Sequence, residues 1–286
     1  MIRQDLITLG EGNTPLVEVN GIYFKCEFKN PTGSHKDRAF ALQVSNIKEK
    51  GIKKAVISSS GNAAISAANY CKLAGIALTV FVSPHINKKK LQILENLDCV
   101  VIKSNRPVSD SIKYAQKGEI YNLRQSTDIN AVIGYESIAS EIIDSKISPD
   151  AIFLPVSSGT TLIGIANGFK NSKYKIPVHA VQTDLVHPIT GIFDKDFPKS
   201  DEKSMADAIV ARYTPREAEV VNMIKQTGGW GWVITNEEME KGRVWLYSHD
   251  LDCSYEGAAT LAALWKATKY GYIYAHPVCI LTGKFY

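Results

Sequence analysis

From about residue 52 onward, short apolar runs rich in β-branched residues alternate with amphipathic stretches. This alternation limits what the chain can fold into more than any other feature. Residues 55–57, 77–82, 99–102, 120–121, 151–156 and 178–181 read as strands. Residues 62–73, 88–97, 108–116, 132–143 and 162–169 carry helical spacing, with Leu91, Leu94 and Leu97 three apart on one side. Repetition of strand then helix predicts a parallel sheet with helices on both faces, an α/β fold. The continuous apolar runs fit strands buried on both sides. Helices are also expected from Ala39 and over 215–225, 236–247 and 257–268, with a last strand at 277–281. Residues 184–212 break the rhythm with Pro188, Gly191, Pro198 and several charges, and read as a surface excursion over the sheet.

Composition removes other classes. A chain of 286 residues allows one large or two modest domains. Its 45% hydrophobic and 22% charged content excludes disorder as the main state. A net charge of +4 is far from the balance of a nucleic-acid binder. Cys26, Cys71, Cys99, Cys253 and Cys279 are odd in number and form no Cys-x-x-Cys pair, so neither a disulfide scaffold nor a zinc ribbon is expected. Reduced thiols suit a cytoplasmic protein, with Cys99 and Cys279 as core thiols. His85, His179, His187, His249 and His276 form no metal-spaced pair, so no metal is expected. Residues 1–6 hold no apolar leader core, and no apolar run approaches the roughly 18 residues of a membrane span. Trp230, Trp232, Trp245 and Trp265 read as core or interface residues.

Three loops have the composition of ligand sites. In open parallel sheets, ligands sit at the carboxyl ends of strands. Ser157-Ser158-Gly159-Thr160-Thr161 runs from a strand into a helix. Free N–H groups at the helix start, a bare glycine backbone and four hydroxyls suit a phosphate. No lysine follows, so this is not a P-loop; serine capping of a helix is the structural alternative. Ser58-Ser59-Ser60-Gly61-Asn62-Ala63 is built the same way and suits a carboxylate, or else a helix capped by Asn62. In Asn30-Pro31-Thr32-Gly33-Ser34-His35-Lys36-Asp37-Arg38, a lysine stands at a helix start, the wrong end for a cation. Such a placement suits a lysine that must lose its charge to act as a nucleophile; a solvated surface lysine is the alternative.

Taken together, these stretches resemble the fold-type II family of pyridoxal-phosphate enzymes. Glu11-Gly12-Asn13-Thr14-Pro15-Leu16 is similar to the family's opening, and Asn30 to Arg38, Ser59 to Ala63, Ser157 to Thr161 and Leu281-Thr282-Gly283 follow in order. The resemblance implies two parallel-sheet α/β domains: a large one over 1–39 and 141–286 and a small mobile one over 40–140. It implies pyridoxal 5'-phosphate as cofactor. Lys36 is similar to the lysine that forms the internal Schiff base and serves as catalytic base. Ser157, Ser158, Gly159, Thr160 and Thr161 resemble the loop holding the cofactor phosphate. Asn62 resembles the asparagine bonded to the ring hydroxyl, and Thr282 the hydroxyl residue beside the ring nitrogen. Ser59, Ser60, Gly61, Asn62 and Ala63 resemble the loop for the substrate carboxylate. A neutral Thr282 would leave the ring nitrogen largely unprotonated, favouring loss of a β or γ leaving group over transamination.

Within the family, the opening, the lysine segment and the closing Leu-Thr-Gly are closest to the threonine synthases, which convert phosphohomoserine to threonine and phosphate. Ala131 departs from that pattern, standing where an arginine is expected; Arg124 or Lys88 to Lys90 are the substitutes, although the lysine run also reads as a solvated helix face. The Ser-Ser-Gly-Thr-Thr loop is nearer the cysteine-synthase style, with Gln125 a loose counterpart of that family's glutamine. Serine/threonine dehydratase chemistry and β-replacement are therefore alternatives, as is a non-catalytic relative that holds the cofactor. The resemblance implies a small amino-acid substrate and a homodimer, with no nucleic acid or membrane as partner.

Overall fold

The expected alternation is present in a computed structural model, which describes residues 6–170, 172, 175–198 and 202–286. Residues 1–5, most of the stretch read as leaderless, and 199–201, part of the expected excursion, lie outside the described residues. The first element is one the alternation did not foretell, a hairpin of β1 (Leu16–Val19) and β2 (Ile22–Lys25). Its turn is Asn20-Gly21, both at positive φ (53° and 77°), the geometry of a type I′ connection. Asn-Gly between apolar pairs was the available signal for it.

The chain divides into two compact units: residues up to Glu11 with Asn30–Gly134 and Tyr286, and Gly12–Lys29 with Tyr135–Phe285. The expectation put residues 1–39 with 141–286; here residues 30–39, Lys36 among them, fall with 40–134.

The first unit holds α1 (Lys36–Glu49), β3 (Lys54–Ser58), α2 (Asn62–Ala74), β4 (Ala77–Val82), α3 (Lys88–Glu95), β5 (Cys99–Lys103), α4 (Pro107–Ala115) and β6 (Tyr121–Asn122). Its strands form a parallel sheet in the order β5-β4-β3-β6. Ala55, Ile57, Leu78 and Val80 pack with Phe40 and Val44 of α1 and Ile65 and Ala68 of α2 in one core. Helix α1 begins at Lys36, three residues before the expected Ala39.

Helix α5 (Ile129–Asp144) runs from the first unit into the second. The second unit continues with β7 (Ala151–Pro155), α6 (Thr160–Lys170), β8 (Val178–Thr183), α7 (Glu217–Thr227), β9 (Gly231–Ile234), α8 (Asn236–Tyr247), α9 (Tyr255–Lys269) and β10 (Pro277–Ile280). The sheet order is β1-β2-β10-β7-β8-β9, parallel from β2 onward. Phe24, Phe153, Val181, Trp232, Ile234, Leu261 and Cys279 belong to its core.

Other expectations are corrected. Strand β9 was missed, since Gly229-Trp230-Gly231 reads as a break. The stretch 184–212 is not only a surface excursion: Ile189, Ala206 and Ile209 are buried. Gln182 at the end of β8 draws it in, its Oε1 accepting the Ile189 and Thr190 N–H groups at 3.0 Å each. Cys279 is a core thiol, but Cys99 is only half-buried. Trp232 is core as expected, and Trp230 and Trp265 are partly exposed, which the reading as core or interface residues allows. No helix among the described residues is long and apolar enough to cross a membrane.

One close approach sets where α1 begins relative to α5. A Cβ on Gly134 would lie 2.5 Å from the Arg38 carbonyl oxygen and 2.8 Å from Ala39 Cα. Backbone cannot yield as a flexible side chain does, so Gly134→Ala is expected to cost about 1–3 kcal/mol. Urea unfolding reads this as a lower midpoint at an unchanged slope; an unchanged midpoint would mean that the first turn of α1 is free to move aside.

Candidate active site

In the first unit, the turn before α1 is shaped by Gly33, at φ +89°, whose N–H donates to Asn30 O at 2.8 Å. Lys36 is the first residue of α1, and its N–H reaches Ser34 Oγ at 3.3 Å. The lysine is half-buried. Desolvation lowers its pKa from 10.5 to about 8, and the positive end of the helix dipole disfavours its charge further. An amine that is half neutral near pH 8, where an ordinary lysine is almost wholly protonated, is a usable nucleophile and base.

Across the same unit, the loop after β3 leads into α2. Ser59 N–H donates to Phe81 O at 3.1 Å, and Ser60 Oγ accepts the Ser83 N–H at 2.8 Å. Gly61 N–H donates to Ser59 Oγ at 3.2 Å. These bonds fix the loop from β4 while Ser59, Ser60, Gly61, Asn62 and Ala63 stay half-buried. The capping alternative for Asn62 fails, because the N-cap is Gly61 and no side chain caps the helix. Asn62 is instead the first helical residue, and its Oδ1 is buried with no hydrogen-bond partner among the described residues. A buried amide oxygen without a partner costs on the order of 1–3 kcal/mol, so a donor belongs there.

In the second unit, Ser157-Ser158-Gly159-Thr160-Thr161 follows β7, and Thr160 opens α6. Gly159 lies at φ +85°, and a Cβ on it would sit 2.1 Å from Val220 Cγ2. Any side chain is doubly excluded, which leaves the backbone bare at the helix start. Thr214 Oγ1 donates to Ser158 O at 2.7 Å and ties the loop down; Ser158 Oγ and Thr160 Oγ1 are 3.1 Å apart. Thr282 is buried just past β10, the neighbour of β7, so it leaves the sheet at the same edge as the loop.

The lysine run separates on inspection. Lys88 and Lys89 are exposed, whereas Lys90 is buried with its ammonium 5.2 Å from the Tyr286 ring centre, so the solvated-face reading fails for Lys90. Ala131 is fully buried. Sequence reasoning gave no role to Asp37 and Ser66, which bond to each other at 2.6 Å. Asp184, just past β8, was also missed; its Oδ2 is buried without a hydrogen-bond partner among the described residues, and burial pushes its pKa up. An acidic residue beside the lysine at a helix start, and another at a strand's carboxyl end, were the signals available.

The comparisons with known proteins agree with this geometry. The chain belongs to the pyridoxal-phosphate dependent enzyme family, whose model matches residues 7–283. Its cofactor is therefore pyridoxal 5'-phosphate, and its fold is that of the fold-type II enzymes using it. The threonine synthase of Methanocaldococcus jannaschii is 26% identical, over 97% of this chain and 76% of that protein. The threonine synthase of Synechocystis is also 26% identical, over 98% and 78%. A crystal structure of a pyridoxal 5'-phosphate-dependent aspartate racemase superposes with a TM-score of 0.83 at 21% identity, covering 96% of this chain and 90% of that one. The chain is thus an enzyme of the group that eliminates or replaces amino-acid substituents at the β or γ carbon.

Desolvation of Lys36 has a measurable sign. In the unfolded chain the amine stays protonated up to about 10.5, and in the folded apoprotein only up to about 8. Folding therefore carries a penalty below pH 8 that is relieved as pH rises to 10.5. By linkage it is about 3 kcal/mol at full size. The Lys36→Met apoprotein is expected to be more stable than wild type at pH 7 by up to that amount, with the gap closing by pH 10.5. A gap that does not change with pH would mean the ammonium is well solvated.

Proposed function

We propose that this enzyme carries out threonine-synthase-like chemistry, converting phosphohomoserine and water to threonine and phosphate. The observation that carries the reading is the lysine at the first position of α1 with its pKa lowered to about 8. Lys36 would hold the cofactor covalently through Nζ and, once the substrate amine has displaced it, would take the α-proton as general base. Asn62 would donate from its amide nitrogen or accept at the buried Oδ1 from the ring hydroxyl. The N–H groups and hydroxyls of Ser157, Ser158, Gly159, Thr160 and Thr161 would hold the phosphate, for which the bare Gly159 backbone leaves room. Thr282 would meet the ring nitrogen with a neutral hydroxyl. Ser59, Ser60, Gly61, Asn62 and Ala63 would receive the substrate carboxylate at the N-terminal end of α2. When bound, the cofactor supplies an electron sink for the pair left at the α-carbon.

Lys36 is expected to be the base for more than one step, since a single amine can take the α-proton and return a proton further along the side chain. Burial lowers its pKa to about 8, so the proton-abstraction rate should rise with pH and level off above that value.

A second reading has its own support. Ala131 is fully buried and apolar, so the arginine that threonine synthases carry there has no equivalent at this position. A substrate without a phosphate, serine or threonine, is what this one position favours, and the outcome would be elimination to a 2-oxo acid and ammonia. The deciding experiment is a titration of the purified, cofactor-loaded enzyme with phosphohomoserine, serine, threonine and O-acetylserine, following visible absorbance and products. Threonine and inorganic phosphate in equal amounts support the first reading. Ammonia and a 2-oxo acid from serine or threonine support the second. Sulfide-dependent consumption of O-acetylserine would place the enzyme with β-replacement, and a visible band that no substrate changes would leave a cofactor-holding relative without turnover.

A further inference from the structure

The turn that leads into α1 closes on one carboxyl group. Asp37 is fully buried. It accepts the Thr32 N–H at 2.7 Å, the Thr32 hydroxyl, and the Ser66 hydroxyl at 2.6 Å. All three partners are donors, which suits an ionised carboxylate; an amide in its place would turn an N–H toward one of them. Burial pushes the Asp37 pKa up, the Ser66 and Thr32 donors pull it down, and the charge of Glu11 adds to the rise. Glu11 itself accepts the Tyr70 hydroxyl at 2.6 Å, and the charge of Asp37 acts on Tyr70 in turn, so Glu11 and Tyr70 are titratable groups facing this carboxyl, beside its chain neighbours His35, Lys36 and Arg38.

The placement of Ser66 gives this arrangement a consequence. It lies four residues beyond Asn62 on α2, one helical turn further along. The Asp37–Ser66 bond therefore joins the first turn of the Lys36 helix to the first two turns of the Asn62 helix, within one unit. The bare Gly134 also lets α5 approach the Arg38 carbonyl closely. The start of α1 is held by contacts from both α2 and α5.

Resting on the roles proposed above for Lys36 and Asn62, we infer that Asp37 and Ser66 are positioning residues that set the reach of Lys36 Nζ against the Asn62 side chain. Those two groups would meet neighbouring substituents of one rigid ring, so their spacing has little tolerance. Neither Asp37 nor Ser66 touches reacting atoms. Losing their bond would let the lysine turn drift relative to α2 and would alter both attachments together. A shift well under 1 Å matters at such a site, because catalytic geometry must be held within about 0.5 Å.

The test uses the full-length, cofactor-loaded enzyme with Ser66→Ala, Ser66→Thr and Asp37→Asn. Ser66→Ala is expected to move the pH midpoint of the visible band by about half a unit or more. It should lower kcat roughly tenfold, as loss of a buried bond to a charged group would, with KM within about twofold. Ser66→Thr keeps the hydroxyl and should restore both. Asp37→Asn should act in the same direction; if it fails to fold, Ser66→Ala and its threonine rescue carry the test alone. Variants that lose thermal stability but keep the wild-type band, midpoint and kcat would overturn the inference and leave Asp37 a purely structural residue. A wild-type enzyme with no visible band after incubation with pyridoxal 5'-phosphate would overturn the underlying reading of Lys36 instead, so the two failures are distinguishable.

Discussion

An ammonium group set at the positive end of a helix and partly removed from water is an expensive thing to build. Lys36 meets both conditions, and the surrounding turn holds it there: Gly33 supplies the left-handed backbone, Ser34 meets the lysine N–H, and Asp37 gathers Thr32 and Ser66. Each of these contacts stabilises a conformation in which the lysine is driven toward its neutral form. Folding energy from the α1–α2–sheet core holds a desolvated amine in place, a pattern expected at functional sites and not in a surface helix.

The rest of the first unit can be understood from that constraint. Phe40, Val44 and Ile47 anchor α1 on the sheet, and Ile65 and Ala68 anchor α2 beside it. With both helices fixed, their first turns present Lys36 and Asn62 from a rigid base. The second unit repeats the logic with different chemistry. There a glycine that can carry no side chain, between a buried strand and a helix, leaves its backbone bare beside the hydroxyls of its neighbours. One unit therefore offers an amine and a buried amide oxygen, the other a bare glycine backbone at a helix start and a neutral hydroxyl at Thr282.

Much of the fold was legible because its strands are continuous apolar runs, and such runs have few other fates. Helix α8 over Asn236–Tyr247 and strand β4 over Ala77–Val82 stand where the pattern put them. The hairpin β1–β2 escaped because its strands are short and only partly buried, so no apolar run announces them; the Asn-Gly turn did. Strand β9 escaped because glycines flank Trp230, a placement that depends on Thr190 and Phe193 packing over Gly231. The start of α1 was misread by three residues because Lys36, Asp37 and Arg38 look like solvated charges, and only tertiary contacts reveal that Asp37 and Arg38 are buried. The site loops were visible as compositions. That Asn62 is not a cap, that Ala131 is core and that Ser66 meets Asp37 are facts of packing, which a linear sequence does not display.

Borohydride reduction of the cofactor-loaded enzyme, followed by peptide mapping of the modified residue, tests the role of Lys36 most directly. The label is expected on Lys36 alone, and its incorporation should be lost in Lys36→Ala. A label on a different lysine, or none on a protein that has bound pyridoxal 5'-phosphate, would contradict the assignment and move the chemistry away from the start of α1.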